Sequence, residues 1–168
     1  MKTVLETKRL FLQEAELNDA PFFYELLNSP NWLKYIGNRG IYNLEDAQAY
    51  IQQGLIKSYK KNDFGLYKMI LKDKKVPIGI CGLLQRDYLD HPDIGFATLP
   101  TFESQGYTFE AAQSVVNYSK SRLKLNQIMA ITSENNQRSQ ALLKKIGMRH
   151  IDQIYLSGDD QPKLLFST

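Results

Sequence analysis

The sequence is poor in residues that staple, chelate or anchor. A single cysteine, Cys81, leaves no internal disulfide, and the two histidines, His91 and His150, cannot complete a familiar zinc site with it at these spacings. No metal is expected. No apolar stretch approaches the length of a membrane span, and the N-terminal Met1-Lys-Thr-Val-Leu-Glu-Thr-Lys-Arg turns charged too early for a signal-peptide core. A cytoplasmic location with no membrane partner is the expectation. The net charge of +3 is spread along the chain, and its densest cluster, Lys72, Lys74 and Lys75, reads as a solvated turn. With no basic face backed by a reading motif, no nucleic-acid partner is expected. Internal repeats, low-complexity tracts and Pro/Ser-rich linkers are also missing.

What is present is ordinary globular composition: 168 residues, 43% apolar and 23% charged, enough to bury a core without staples. A single domain over residues 1–168 is expected, as a monomer or homodimer. Leu10-Phe-Leu-Gln-Glu reads as a strand. Asn18-Asp19 offers a cap for a helix to Leu27, with Pro21 in its first turn and Ala20, Phe23, Tyr24 and Leu27 as its buried face. Asn28 to Tyr42 reads as a loop, punctuated by Pro30, Gly37 and Gly40 and unusual for its large rings, Trp32 and Tyr35. Asn43 can cap a second helix to about Lys60. Leu66–Leu71 and Val76–Leu84 flank Lys72-Asp-Lys-Lys75 as a hairpin, and Asp93–Leu99 is a strand stopped by Pro100. A helix with Ala112, Val115, Val116, Ser119 and Leu123 on one face follows, then a strand at 127–132. A short helix ends at Gly147, a left-handed cap, and two last strands lie near 151–156 and 164–166. The order β-α-α-β-β-β-α-β-α-β-β predicts an α/β (α+β) fold with one mixed, mostly antiparallel, seven-stranded sheet flanked by four helices.

The chemistry concentrates between Asp93 and Gly147. A helix that begins just after a strand presents unpaired N–H groups and the positive end of its dipole, a natural seat for a phosphate. Glu103-Ser-Gln-Gly-Tyr-Thr108 occupies that place. Gly106 lets backbone come close to a diphosphate, and Ser104, Gln105 and Thr108 add possible donors. An ordinary strand-to-helix turn would look the same if this segment stood alone.

It does not stand alone. Glu6-Thr-Lys-Arg-Leu-Phe-Leu, Leu17-Asn-Asp-Ala-Pro-Phe-Phe-Tyr-Glu-Leu-Leu, Pro77-Ile-Gly-Ile-Cys-Gly-Leu, Asp93-Ile-Gly-Phe-Ala-Thr-Leu-Pro, Gln105-Gly-Tyr-Thr-Phe-Glu-Ala-Ala and Asn136-Gln-Arg-Ser-Gln-Ala-Leu-Leu-Lys-Lys-Ile-Gly-Met occur in this order. Together they resemble the GNAT superfamily of N-acetyltransferases, in particular its ribosomal-protein-alanine branch. The resemblance implies transfer of an acetyl group from acetyl-CoA to an amine, a protein N-terminal α-amine or a small molecule, by direct attack. It also implies a V-shaped gap between the strands at 93–99 and 127–132. Backbone near Ala97 and Thr98 would meet the pantetheine there, Ser104, Gln105, Gly106, Tyr107 and Thr108 the diphosphate, and Asn136 the pantetheine from the last helix. Trp32 and Tyr35 would border the acceptor, unless the rings instead anchor their loop to the core.

Two departures stand out. Where the family's diphosphate loop usually reads Gln/Arg-x-x-Gly-x-Gly/Ala, this chain has Glu103 at the front, a negative charge beside the expected phosphates, and Thr108 at the end. Where many members carry a tyrosine as acid, this chain has Leu143. Ser139 is the substitute candidate for the acid, or else a small packing residue, and Asp93 is the candidate base, or else a turn residue after Pro92. His91 ranks behind both, and Cys81 reads as core. A weak base suits an α-amine, which at pKa ~8 is about one-tenth neutral at pH 7, against roughly one in a few thousand for a lysine side chain. Glu103 and Leu143 also fit an alternative: a GNAT-fold module that binds acyl-CoA as a sensor with weak or no turnover.

Overall fold

The computed structural model describes residues 2–168. Eight strands form one sheet in the order β1-β2-β3-β4-β5-β6-β8-β7. They are β1 Thr3–Glu6, β2 Leu10–Gln13, β3 Leu66–Leu71, β4 Val76–Leu84, β5 Asp93–Thr98, β6 Met129–Ser133, β7 Arg149–Ile154 and β8 Lys163–Ser167. Every neighbouring pair is antiparallel except β5 and β6, which are parallel. Parallel neighbours need a long crossover, and the helix α5, Tyr107–Ser121, supplies it. The expected 72–75 turn joins β3 to β4, with Lys75 in a left-handed conformation. Between Met69 and Ile70 the pairing skips one residue of β4, a bulge that accommodates Pro77 within the strand.

Helices cover both faces. Ala111, Ala112, Val115 and Val116 of α5 pack with Leu143 of α6, Gln137–Lys145, against β-sheet residues such as Leu12, Met69 and Ile94. On the opposite face lie α1, Ala20–Leu27, α2, Pro30–Tyr35, and α3, Leu44–Tyr50. Phe23, Leu26 and Leu27 of α1 are fully buried there, each worth about 1.5–3 kcal/mol of apolar transfer. Lys68, only 1% exposed, reaches from β3 to Asp19 just before α1 at 2.6 Å, and Asp19 also accepts the Glu16 amide. That pair fixes where α1 sits on the sheet, since a buried ammonium without its carboxylate would be costly.

Several boundaries differ from the sequence expectations. The sheet has eight strands instead of seven because β1, too short to show alternation, pairs with β2 at the edge. The 28–42 segment contains α2, for which Pro30 serves as the first helical residue. Tyr24 is 40% exposed, and Phe22 and Leu26 take the buried positions on α1 instead. Asp19 stands at the α1 N-cap without a side-chain cap bond because its carboxylate is committed to Lys68. The second helix runs as α3, a π-helical turn at Ile51–Ile56, and α4, Lys57–Asn62. Its Asn43 cap is present, accepting the Asp46 amide at 2.8 Å. No helix among the described residues is long and apolar enough to cross a membrane.

Candidate active site

The parallel strands β5 and β6 are joined at one point, Asp93 opposite Met129, with the Met129 amide donating to the Pro92 carbonyl at 2.9 Å. Beyond it they separate. On its other side β5 is paired with β4 at every residue from Asp93 to Thr98. The Leu99 amide donates to Ile78, and the Ala97 carbonyl lies against Gly79. Backbone groups alternate along a strand, so those of Phe96 and Thr98 face the gap while those of Ala97 are used within the sheet. The gap opens into a cleft of about 500 Å³.

Among the expected site residues, Trp32, Tyr35, Asp93, Ala97, Thr98, Thr108, Asn136 and Ser139 all line this cleft. Ser104, Gln105, Gly106 and Tyr107 form the turn leading into α5 and are not part of its lining. Ser104 and Gly106 both have positive φ, 60° and 80°, and this double reversal brings the chain abruptly into the helix. The first amides of α5 have no carbonyl one turn behind them. Asn136 caps α6 by accepting the Ser139 amide at 3.2 Å, which sets the Ser139 side chain at the cleft wall beside Leu142 and Leu143. The Thr108 hydroxyl is 2.7 Å from that of Thr98, a bond that ties the first turn of α5 to the end of β5.

Three arginines that sequence reasoning did not single out organise the site. Arg86 holds both oxygens of Asp93 through Nε, at 2.9 and 3.0 Å, and donates to the Tyr88 hydroxyl. The Asp93 side chain is 2% exposed, and burial raises its pKa above the ordinary carboxylate range although Arg86 opposes that shift. Arg138 of α6 binds Glu103 at 2.8 Å, while Asn31 of α2 donates to the other Glu103 oxygen at 2.7 Å. Glu103 is therefore neutralised and turned across the cleft mouth, so its charge does not stand bare against a phosphate. Arg9 braces the turn from behind: it binds Glu110 at 2.6 Å, donates to the Gln105 carbonyl at 3.0 Å and lies over the Tyr107 ring. These partners are 7, 35 and 101 residues apart, separations at which spacing gives no signal.

The opposite wall is built by the π-helical segment. Tyr50, Gly54, Leu55 and Ser58 line the cleft from the turn and its flanks, and Gly54 has open space where a side chain would be. The extra residue of a π turn rotates these positions relative to an unbroken α-helix. His91 is absent from the lining, and Cys81 is buried in the sheet, where burial pushes its thiol far above the ordinary value. No group of three His, Cys, Asp or Glu among the described residues could hold a metal.

A splayed parallel pair, a free strand edge and a helix N-terminus at the end of one cleft make a seat for a long ligand with an anionic tail. Comparison with known proteins agrees. The acetyltransferase (GNAT) domain family matches residues 9–149. The chain belongs to the GNAT acetyltransferases. The uncharacterized N-acetyltransferase YnaD of Bacillus subtilis (strain 168) is 32% identical over 146 residues, which cover 86% of this chain and 82% of YnaD. Among solved structures, the ribosomal-protein-S5-alanine acetyltransferase of Vibrio fischeri superimposes with a TM-score of 0.81 at 16% identity, covering 98% of this chain and 94% of that one. RimL, a ribosomal alpha-N-protein acetyltransferase in complex with coenzyme A, gives 0.78 at 14% identity, with 99% and 97% covered. At such identities these two show the fold alone. Family membership makes this GNAT enzyme an acyl-CoA-dependent N-acetyltransferase.

Proposed function

We propose that this GNAT enzyme acetylates a low-pKa amine, a polypeptide α-amine or a small-molecule amine, by direct attack on the acetyl-CoA thioester within the β5/β6 cleft. The observation that carries the reading is the divergence of β5 from β6 after Asp93, which leaves the Phe96 and Thr98 backbone free along the cleft. Those groups would take the pantetheine as an added strand, with the amides at the start of α5 holding the diphosphate. Acetyl-CoA supplies the activated acyl group. A strand amide at Phe96 would donate to the thioester oxygen as it gains charge.

The new C–N bond forms as the C–S bond breaks, and the proton that leaves nitrogen is balanced by one gained at sulfur. Asp93 lies at the vertex of the gap, where its raised pKa makes it a better proton acceptor than an ordinary carboxylate. Ser139, on the wall opposite β5, would donate toward the departing sulfur. Leu143 in place of a tyrosine acid and the clamp of Arg86 on Asp93 both give modest proton transfer, which suits an acceptor already partly neutral at pH 7.

The test is acetyl-CoA affinity, followed by release of coenzyme thiol with a panel of amines. Gly106→Asp puts a side chain at φ 80° and a negative charge at the start of α5, and should weaken acetyl-CoA binding by roughly tenfold or more. Unchanged affinity in a folded Gly106→Asp variant would displace the diphosphate from this turn. Tight binding without turnover of any amine would favour an acyl-CoA sensor.

A further inference from the structure

Five charged side chains line the cleft: Arg39, Arg86, Asp93, Glu103 and Arg138. Four are consumed by the two ion pairs, Arg86 with Asp93 and Arg138 with Glu103. Arg39 is left over. It lies in the segment between α2 and α3, where the Gly40 amide binds Asn38 Oδ1 at 2.7 Å and the flanking Gly37 and Gly40 both have positive φ. Arg39 is exposed at the edge of the cleft, and among the described residues its guanidinium has neither a hydrogen bond nor an ion pair, so this side of the cleft carries one positive charge without a protein partner.

The neighbours of Arg39 fit an anion. Tyr50 lines the same wall and its hydroxyl has no hydrogen-bond partner among the described residues. Burial raises the pKa of the Tyr50 phenol while the charges of Arg39 and Arg86 oppose the rise, and all three side chains line the one cleft. Trp32 and Tyr35 of α2 provide apolar walls. Apart from Asp93, held by Arg86, and Glu103, held by Arg138, no carboxylate lines the cleft to compete for Arg39.

We propose that the acceptor is an amine that also bears a carboxylate, bound by the Arg39 guanidinium with the Tyr50 hydroxyl donating to the same group. This rests on the transferase reading, because it places the amine at the Asp93 vertex and the carboxylate on the wall formed by α2 and α3. A single unpaired cation matches a monoanion, and so a carboxylate better than a phosphate dianion. Arginine also meets a carboxylate through two parallel N–H donors, which fixes the ligand's orientation as well as its charge.

The carboxylate can belong to a free amino acid or to an acidic side chain near a peptide N-terminus, and matched probes separate the two. Glutamic acid α-amide against glutamine amide, both with an α-amine of pKa about 8, tests the first; alanyl-aspartate amide against alanyl-asparagine amide tests the second. Binding of each probe is measured with the protein alone and saturated with CoA, alongside transfer rates with acetyl-CoA. In at least one pair the carboxylate member should bind roughly tenfold tighter or better, as charge-assisted bonds do. Arg39→Gln should bring that ratio close to one, and Arg39→Lys should keep part of it, both with unchanged acetyl-CoA affinity and thermal midpoint. Equal binding of both members in both pairs, or a preference that survives Arg39→Gln, overturns the inference. If acetyl-CoA does not bind, the transferase reading fails, while the carboxylate ratio is still read on the protein alone.

Discussion

Along its β4 side, β5 is paired at six residues, from Asp93 to Thr98; along its β6 side it is paired at Asp93 alone. The closed flank is packed so tightly that a Cβ on Gly79 would run into the Ala97 carbonyl, Met69 Cε and Thr98 Cα. On the open flank the same strand faces a cleft, and polar side chains are paired around its ends. Arg86–Asp93 closes the vertex, while Glu103, held by Arg138 and Asn31, spans the mouth. One strand thus contributes to stability with one edge and leaves the other open to the cleft, and the change falls at Asp93, whose carboxylate is held by Arg86.

The sharpest way to break this contrast is at the vertex. Arg86→Met leaves Asp93 buried without its partner and should cost about 3 kcal/mol, read from urea unfolding. A loss well under 1 kcal/mol would mean that buried Asp93 does not depend on Arg86. A smaller and purely functional effect is expected from Gly54→Leu on the opposite wall. Its side chain would enter open space in the cleft, so the acceptor KM should rise by roughly tenfold while acetyl-CoA affinity holds. Parallel weakening of both ligands would contradict the division of the cleft into donor and acceptor ends.

The mildest test concerns the brace behind the turn. Burial opposes ionisation of Glu110, but bonds from the Thr7 hydroxyl and from the amide and guanidinium of Arg9 outweigh it and lower its pKa. A depressed carboxylate contributes stability above its unfolded pKa and loses it as pH falls through the folded value. Asp93, with its pKa raised by burial, has the opposite sign: its contribution is greatest in acid and is lost as pH rises through its folded value. Glu110→Gln should therefore cost about 1 kcal/mol near neutrality and flatten the acid side of the stability profile, with wild type and variant converging at low pH. A constant difference at all pH values would show that the ionisation of Glu110 contributes nothing.

The same contrast separates what could be read in the sequence from what could not. Periodic apolar segments announced β3, β4, β5 and α5, and local cap chemistry announced Asn43 and Gly147, because each signal lies within a few residues. The ordered motifs from Glu6 to Met148 were enough to suggest the family. The helix α2 escaped because Pro30 and two glycines imitate a loop, and the π turn escaped because one extra residue barely disturbs helical spacing. Glu103 looked unfavourable for phosphate binding until Arg138 was seen beside it, and Asp93, a base or a turn residue by sequence, has Arg86 on both its oxygens. These are tertiary contacts between side chains whose partners no local pattern specifies.

Cys81, 0% exposed within the sheet, has a practical consequence for the assays themselves. A chromogenic disulfide reagent added to the folded enzyme finds no accessible sulfhydryl on the protein, so the colour that develops during turnover counts coenzyme molecules alone. A cysteine placed on the cleft rim would then be the single reactive handle, ready for a fluorophore that reports on ligand arrival.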